Sequence, residues 1–160
     1  MTKIRRSAPW LNHVAISMPP DSLDDAGRAE IEAFYGEVFG WWNAPTDEPG
    51  NPLVLATGAK GQFVYLHAAE PAMVTPELDH FGVQVETVDE LDELLERARA
   101  FKARDDRVRI IEKESATNPS RWGEVTLTNC YVGYLLPMMV EIQHHEYPPG
   151  MFGKVQESSG

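Results

Sequence analysis

Two tandem α+β modules of one kind are predicted from three observations. A short alternating segment centred on a histidine occurs twice, a helix-period segment follows each copy, and strand-like stretches broken by turns follow each helix. Leu11-Asn12-His13-Val14-Ala15-Ile16-Ser17-Met18 alternates apolar and polar positions. Leu78-Asp79-His80-Phe81-Gly82-Val83-Gln84-Val85 repeats the pattern 67 positions later. Period-two alternation marks a strand with one buried face. Val14, Ile16 and Met18 fall on one side, with His13, Ala15 and Ser17 on the other. Phe81, Val83 and Val85 oppose His80, Gly82 and Gln84 in the second copy.

The helices come next. Ile31, Phe34, Tyr35, Val38 and Phe39 make one apolar stripe at helical spacing, ended by Gly40 as a C-cap. Pro19–Asp25 before it reads as a loop with several candidate N-caps. Leu91, Leu94, Leu95, Ala98 and Phe101 form the second stripe. The acidic run Asp89, Glu90, Asp92, Glu93 and Glu96 occupies that helix's remaining faces and reads as solvated surface. Strands follow at roughly 53–57 and 62–68 in the first half, and at 108–113, 125–132 and 135–144 in the second. Asp47–Pro52 and Ala116–Arg121 read as loops. The order is β-α-β-β(-β), twice. The boundaries are an N-terminal arm over 1–9, modules over about 10–72 and 78–147, and a loose tail over 148–160.

Composition narrows the function. The 160 residues carry a formal net charge of -11, which disfavours nucleic acid and anionic membrane surfaces. Hydrophobic residues make up 42%, enough for a core. No stretch approaches the roughly 18 apolar residues of a membrane span. The basic N-terminus lacks the apolar run of a signal peptide. A single cysteine, Cys130, excludes an internal disulfide and points to a reduced, cytoplasmic setting, with Cys130 as a core residue.

A sheet with one face on a helix must dispose of its other face. Here that face carries histidine and small residues in both repeats. Two such modules side by side would enclose a polar, concave interior. His13 and His80 occupy the same repeat position and can converge there. Glu141 interrupts the apolar segment Met138-Met139-Val140-Glu141-Ile142, with Val140 and Ile142 on the opposite face. A buried carboxylate is costly unless it meets a cation. A histidine or glutamate alone in a strand is ordinarily structural; the coincidence of three makes His13, His80 and Glu141 a metal-ligand set of two imidazoles and one carboxylate.

The segments Asn12-His13-Val14-Ala15-Ile16, Phe34-Tyr35-Gly36-Glu37-Val38-Phe39-Gly40, Asp79-His80-Phe81-Gly82-Val83-Gln84-Val85 and Val140-Glu141-Ile142 resemble the vicinal-oxygen-chelate superfamily. The resemblance covers about residues 10–147. It implies an α+β fold in which two βαβββ modules form a curved mixed sheet with a concave metal site, and it implies a homodimer. It carries the family's metal ligands onto His13, His80 and Glu141. One divalent ion is implied, Fe(II), Mn(II), Zn(II), Ni(II) or Co(II), and a small-molecule substrate. Aligning the halves sets Val64 opposite Glu141, so the fourth ligand of glyoxalase I is missing. The paired cysteines of the C–As lyases are missing too. The expected activity is that of a metal-dependent lyase or dioxygenase, with a non-catalytic small-molecule binder on the same fold as the alternative. His67, Tyr65 and Tyr131 are the candidate substrate contacts. Trp122 and Tyr134 are weighed as packing residues, His144 and His145 as strand-end residues, and Trp41-Trp42 as core or dimer interface.

Overall fold

The computed structural model describes residues 10–151. The predicted N-terminal arm and positions 152–160 of the predicted tail lie outside the described residues. The first module runs β1 (His13–Met18), α1 (Asp25–Phe39), β2 (Trp42–Asn43), β3 (Leu53–Ala56) and β4 (Phe63–Ala68). The second runs β5 (His80–Gln84), α2 (Val88–Lys102), β6 (Arg109–Ser120), β7 (Gly123–Gly133) and β8 (Met139–Glu146). Each module forms a four-stranded mixed sheet of the same topology, β1-β4-β3-β2 and β5-β8-β7-β6. The first strand of each module pairs in parallel with the last, and the other pairs are antiparallel. This is the two-module α+β architecture expected.

Local chemistry sets the element ends. Asp24 caps α1, its carboxylate accepting from the Gly27 amide at 2.8 Å. Gly40 closes α1 at φ 71°, where a Cβ would be strained, and its amide donates to Gly36. Thr87 caps α2 by accepting from the Glu90 amide at 3.1 Å. The loop predicted before α1 holds a single 3-10 turn, Pro20–Leu23.

Three expectations are corrected. Ala116–Arg121 is not a loop, because β6 continues to Ser120. Its residues are small or polar and nearly all of them are exposed, so no alternation marks the strand. Pro119 fits there because β6 is an edge strand, where a missing amide costs little. The hydroxyl pairs Ser115–Thr128 (2.7 Å) and Thr117–Thr126 (2.9 Å) tie β6 to β7. The last strand starts at Met139, not at Leu135, whose φ of 57° breaks the extended chain. Val64 is not the counterpart of Glu141. Ala15 pairs with Tyr65 and Gly82 pairs with Glu141, so Tyr65 holds the equivalent position.

The helix-facing residues of both sheets join one core. Phe34 of α1 lies edge-on to Phe101 of α2 at 5.0 Å and 4.7 Å from Tyr134, so three aromatic rings stitch the modules together. The buried Tyr35 hydroxyl donates to the Tyr134 carbonyl at 3.1 Å. Tyr134 is therefore core, as weighed, and its hydroxyl donates to Asp105 at 2.6 Å while accepting from Arg107. Trp41 is buried and Trp42 exposed, so the pair divides between core and surface. Cys130 is a core residue whose thiol burial pushes up to about 12, assisted by the charges of Glu112 and Asp92. Among the described residues no helix is long and apolar enough to cross a membrane.

Phe34→Ala should cost about 3–5 kcal/mol and unfold both modules in one transition, read by urea denaturation with tyrosine and tryptophan fluorescence. Two separate transitions would disprove the shared core. Arg107 and Tyr134 hold the Asp105 carboxyl well below its ordinary range. A depressed folded pKa stabilises above the unfolded value and fades as pH falls through the folded one. The stability gap between wild type and Asp105→Asn should thus be full at neutral pH and narrow below about pH 4, measured by urea midpoints across pH.

Candidate functional site

The face of each sheet turned from its helix is polar, as the alternation requires. In the second module it gathers His80, Glu141, Gln143, Asn129 and Tyr131. The register explains this: Tyr131 pairs with Glu141 and Asn129 with Gln143, so these side chains share one face while Cys130 and Ile142 share the core face. Gly82 lies opposite Glu141 on β5, and a Cβ there would meet Gln143 Nε2 at 3.2 Å.

Glu141 is 4% exposed. Such a carboxylate needs donors, and it has several. Asn129 Nδ2 donates to Oε1 at 2.5 Å, the Tyr131 hydroxyl to Oε1 at 3.1 Å, and Gln143 Nε2 to Oε2. Burial pushes the carboxyl up, but the bonds from Asn129, Gln143 and Tyr131 and the charge of His80 outweigh it, leaving a net downward shift. Burial, then the bond to Glu141, raises the Tyr131 hydroxyl.

His80 Nε2 stands 3.1 Å from Glu141 Oε2. Its Nδ1 lies 2.7 Å from the Leu78 carbonyl, an acceptor, which assigns the ring proton to Nδ1. Nε2 faces the carboxylate, so the two are joined either by a proton on Nε2 or by a cation held between them. Two ligands each about 2.1 Å from one metal and at right angles lie about 3.0 Å apart, close to the separation seen. The backbone bond at Nδ1 is also how metal-bound imidazoles are oriented. The pair thus suits a divalent ion. Tyr131 packs edge-on against His80 at 5.0 Å.

His13 is wired alike but lies elsewhere. Its Nδ1 is 2.9 Å from Asn12 Oδ1 and its ring stacks on Phe63 at 4.9 Å. Among the described residues no three histidine, cysteine, aspartate or glutamate side chains assemble as a metal group. The chain therefore unites His80 with Glu141 and leaves His13 apart. Edge strands β1 and β5 nevertheless meet across a small cavity of about 130 Å³ lined by His13, Val14, Phe63, Phe81, Gly82 and Val83.

Of the candidate substrate contacts, Tyr131 touches the His80–Glu141 pair. Tyr65 and His67 lie on the first module's polar face, rings 5.8 Å apart. The Tyr65 hydroxyl donates to Glu48 Oε2 at 2.9 Å. His144 sits 3.4 Å from the Val85 carbonyl, His145 stacks on Tyr147, and Trp122 is exposed beside Arg121 at the β6–β7 hairpin. Sequence reading missed Asn129, Gln143 and Glu48. Gln143 was findable, two residues beyond Glu141 in the same strand; Asn129 needed the β7–β8 register and Glu48 a loop fold.

Solved structures share this architecture. A glyoxalase/bleomycin resistance protein/dioxygenase from Nocardioides is 20% identical, covering 94% of this chain and 93% of its own at a TM-score of 0.53. A glyoxalase-family protein from Bacillus anthracis is 17% identical, covering 89% and 100%, TM-score 0.56. The fosfomycin resistance protein FosX of Listeria monocytogenes is 15% identical, covering 85% and 91%, TM-score 0.53. No family model matches the chain, and no curated protein matches it significantly in sequence. The chain has the vicinal-oxygen-chelate fold, shared by glyoxalase-like and antibiotic-resistance proteins.

Asn129→Ala removes one of the donors to the buried carboxylate and should cost about 1–3 kcal/mol. Urea midpoints at neutral pH read this, and an unchanged midpoint would mean that Glu141 is solvated rather than held.

Proposed function

We propose that this chain is a cytoplasmic, divalent-metal-dependent enzyme, a lyase or dioxygenase, acting on a small organic substrate. His80 and Glu141 hold the ion, with His13 as third ligand. The observation that carries this reading is the buried Glu141 carboxylate 3.1 Å from His80 Nε2. Since a single chain keeps His13 from that pair, we take His13 to come from a second copy, in a homodimer that faces one polar sheet surface with another. The candidate ions are those that tolerate imidazole and carboxylate together: Fe(II), Mn(II), Zn(II), Ni(II) and Co(II). When bound, it supplies Lewis-acid polarisation of adjacent substrate oxygens or, as Fe(II), a place for dioxygen.

The chain's own residues do the rest. The Leu78 carbonyl fixes the His80 tautomer. Asn129 and Gln143 fix the rotamer of Glu141. The Tyr131 hydroxyl, raised in pKa, stays protonated and donates at the edge of the site.

A second reading has its own support. Glu141 is already satisfied by Asn129, Tyr131, Gln143 and His80, so the pocket is stable without an ion, as a non-catalytic binder of small molecules would need. Elemental analysis of the tag-free protein separates the two. About one equivalent of metal per chain, lost in His80→Ala and in His13→Ala, is expected of the enzyme. No metal after reconstitution would overturn it and favour the binder. A monomer by light scattering, with metal retained in His13→Ala, would remove His13 from the ligand set.

A further inference from the structure

The first module's polar face carries a second constellation. A cleft of about 420 Å³ is lined by His13 and Ala15 of β1, Val54 of β3, Phe63 and Tyr65 of β4, and the loop residues Ala44, Pro45, Thr46 and Glu48. We propose that this cleft is a subsite for a small organic ammonium ion, held by Glu48 and the Tyr65 hydroxyl against the aromatic faces of β4.

Four features support this occupant. No lysine or arginine lines the cleft, and among the described residues Glu48 has no cationic partner. Its carboxylate is therefore a negative charge facing a concavity, in a chain of net charge -11. The Tyr65 hydroxyl gives its proton to Glu48 at 2.9 Å, so its lone pairs point to any incoming donor. A carboxylate oxygen and a phenol oxygen side by side accept from N–H groups and offer nothing to an anion. Tyr65, and the face of Phe63 that His13 does not cover, add aromatic surface, which attracts a cation.

The loop bearing Glu48 is set in advance. The Arg28 guanidinium donates to the Asn51 carbonyl, the Ala44 amide to the Val54 carbonyl at 2.8 Å, and the Glu48 amide to Thr46 Oγ1 at 3.2 Å. Ala15, small and opposite Tyr65 in register, keeps the floor open. A bound cation thus meets a preformed acceptor pair instead of ordering a free loop.

His13 lines the same cleft, so the subsite adjoins the proposed metal position. Resting on that functional reading, the substrate is an amine-bearing molecule whose oxygens reach the ion while its ammonium end meets Glu48. The subsite itself does not depend on the metal.

Calorimetric titration of the full-length protein with benzylammonium chloride, and with benzyl alcohol as its neutral counterpart, tests this. The cation should bind about tenfold more tightly or better, before and after chelator treatment. Glu48→Gln should erase the preference, Tyr65→Phe should weaken it, and His80→Ala should leave it unchanged. Glu48 is in an exposed loop, so its variant should fold, as circular dichroism will confirm. Equal affinity for the two probes, or a preference that survives Glu48→Gln, overturns the subsite. A preference abolished by the chelator assigns the binding to the metal position and overturns it as well. Metal content measured on the same samples judges the enzyme reading separately: a metal-free protein that keeps the cation preference retains the subsite and loses the enzyme.

Discussion

Each sheet has a helix on one face only, and the rest of the structure follows from that constraint. Strand side chains alternate, so a face that packs on α1 or α2 obliges the neighbouring positions to face away. Ile16 and Met18 go inward and His13 and Ala15 outward; Val140 and Ile142 go inward and Glu141 outward. The inward faces meet through Phe34, Phe101 and Tyr134, which makes two small modules into one body. Neither four-stranded sheet with one helix buries much apolar surface alone. The polar faces are the other side of that same arrangement, and His13, Tyr65, His80 and Glu141 all lie on them.

The two polar faces have diverged within one topology. In the second module the position on the last strand is a carboxylate, and its neighbours Asn129, Gln143 and Tyr131 supply the donors that its burial demands. In the first module the same position is Tyr65, and the carboxylate comes instead from the loop, as Glu48. A carboxylate fixed within a strand and ringed by donors has one direction of approach left, towards His80. A carboxylate on an exposed loop, receiving one phenolic proton, stays open to a ligand. Geometry, rather than residue type, separates the two roles.

The repeat, both helices and the face on which His13, His80 and Glu141 lie were legible because they depend on local periodicity. Period two and period 3.6 are written into consecutive residues such as Phe81, Val83 and Val85 or Ile31, Phe34 and Tyr35. The end of β6 was not legible, because an edge strand exposed on both faces has no apolar alternation, and Pro119 reads as a breaker until its place at the sheet edge is known. The equivalence of Tyr65 with Glu141 depends on the parallel registers of β1 with β4 and β5 with β8, which no local pattern encodes. A slip of one residue there exchanges the core face for the polar face. Reading Val64 at that position therefore replaced a polar, outward-facing residue by a buried one.

That single-residue correction changes what the first module can do. With Val64 there, the face beside His13 would be apolar and would contribute shape alone. With Tyr65 there, a phenol stands one strand away from His13, its proton already committed to Glu48 and its lone pairs open to the cleft. The donor-rich surroundings of Glu141 favour negative charge at that carboxylate and so favour a cation beside it. The acceptor-rich surroundings of Tyr65 favour positive charge in a ligand. With the proposed ion at Glu141, a molecule spanning both faces would offer oxygens at one end and a protonated nitrogen at the other. The pseudo-symmetric sheets thereby impose an asymmetric demand on whatever binds between them.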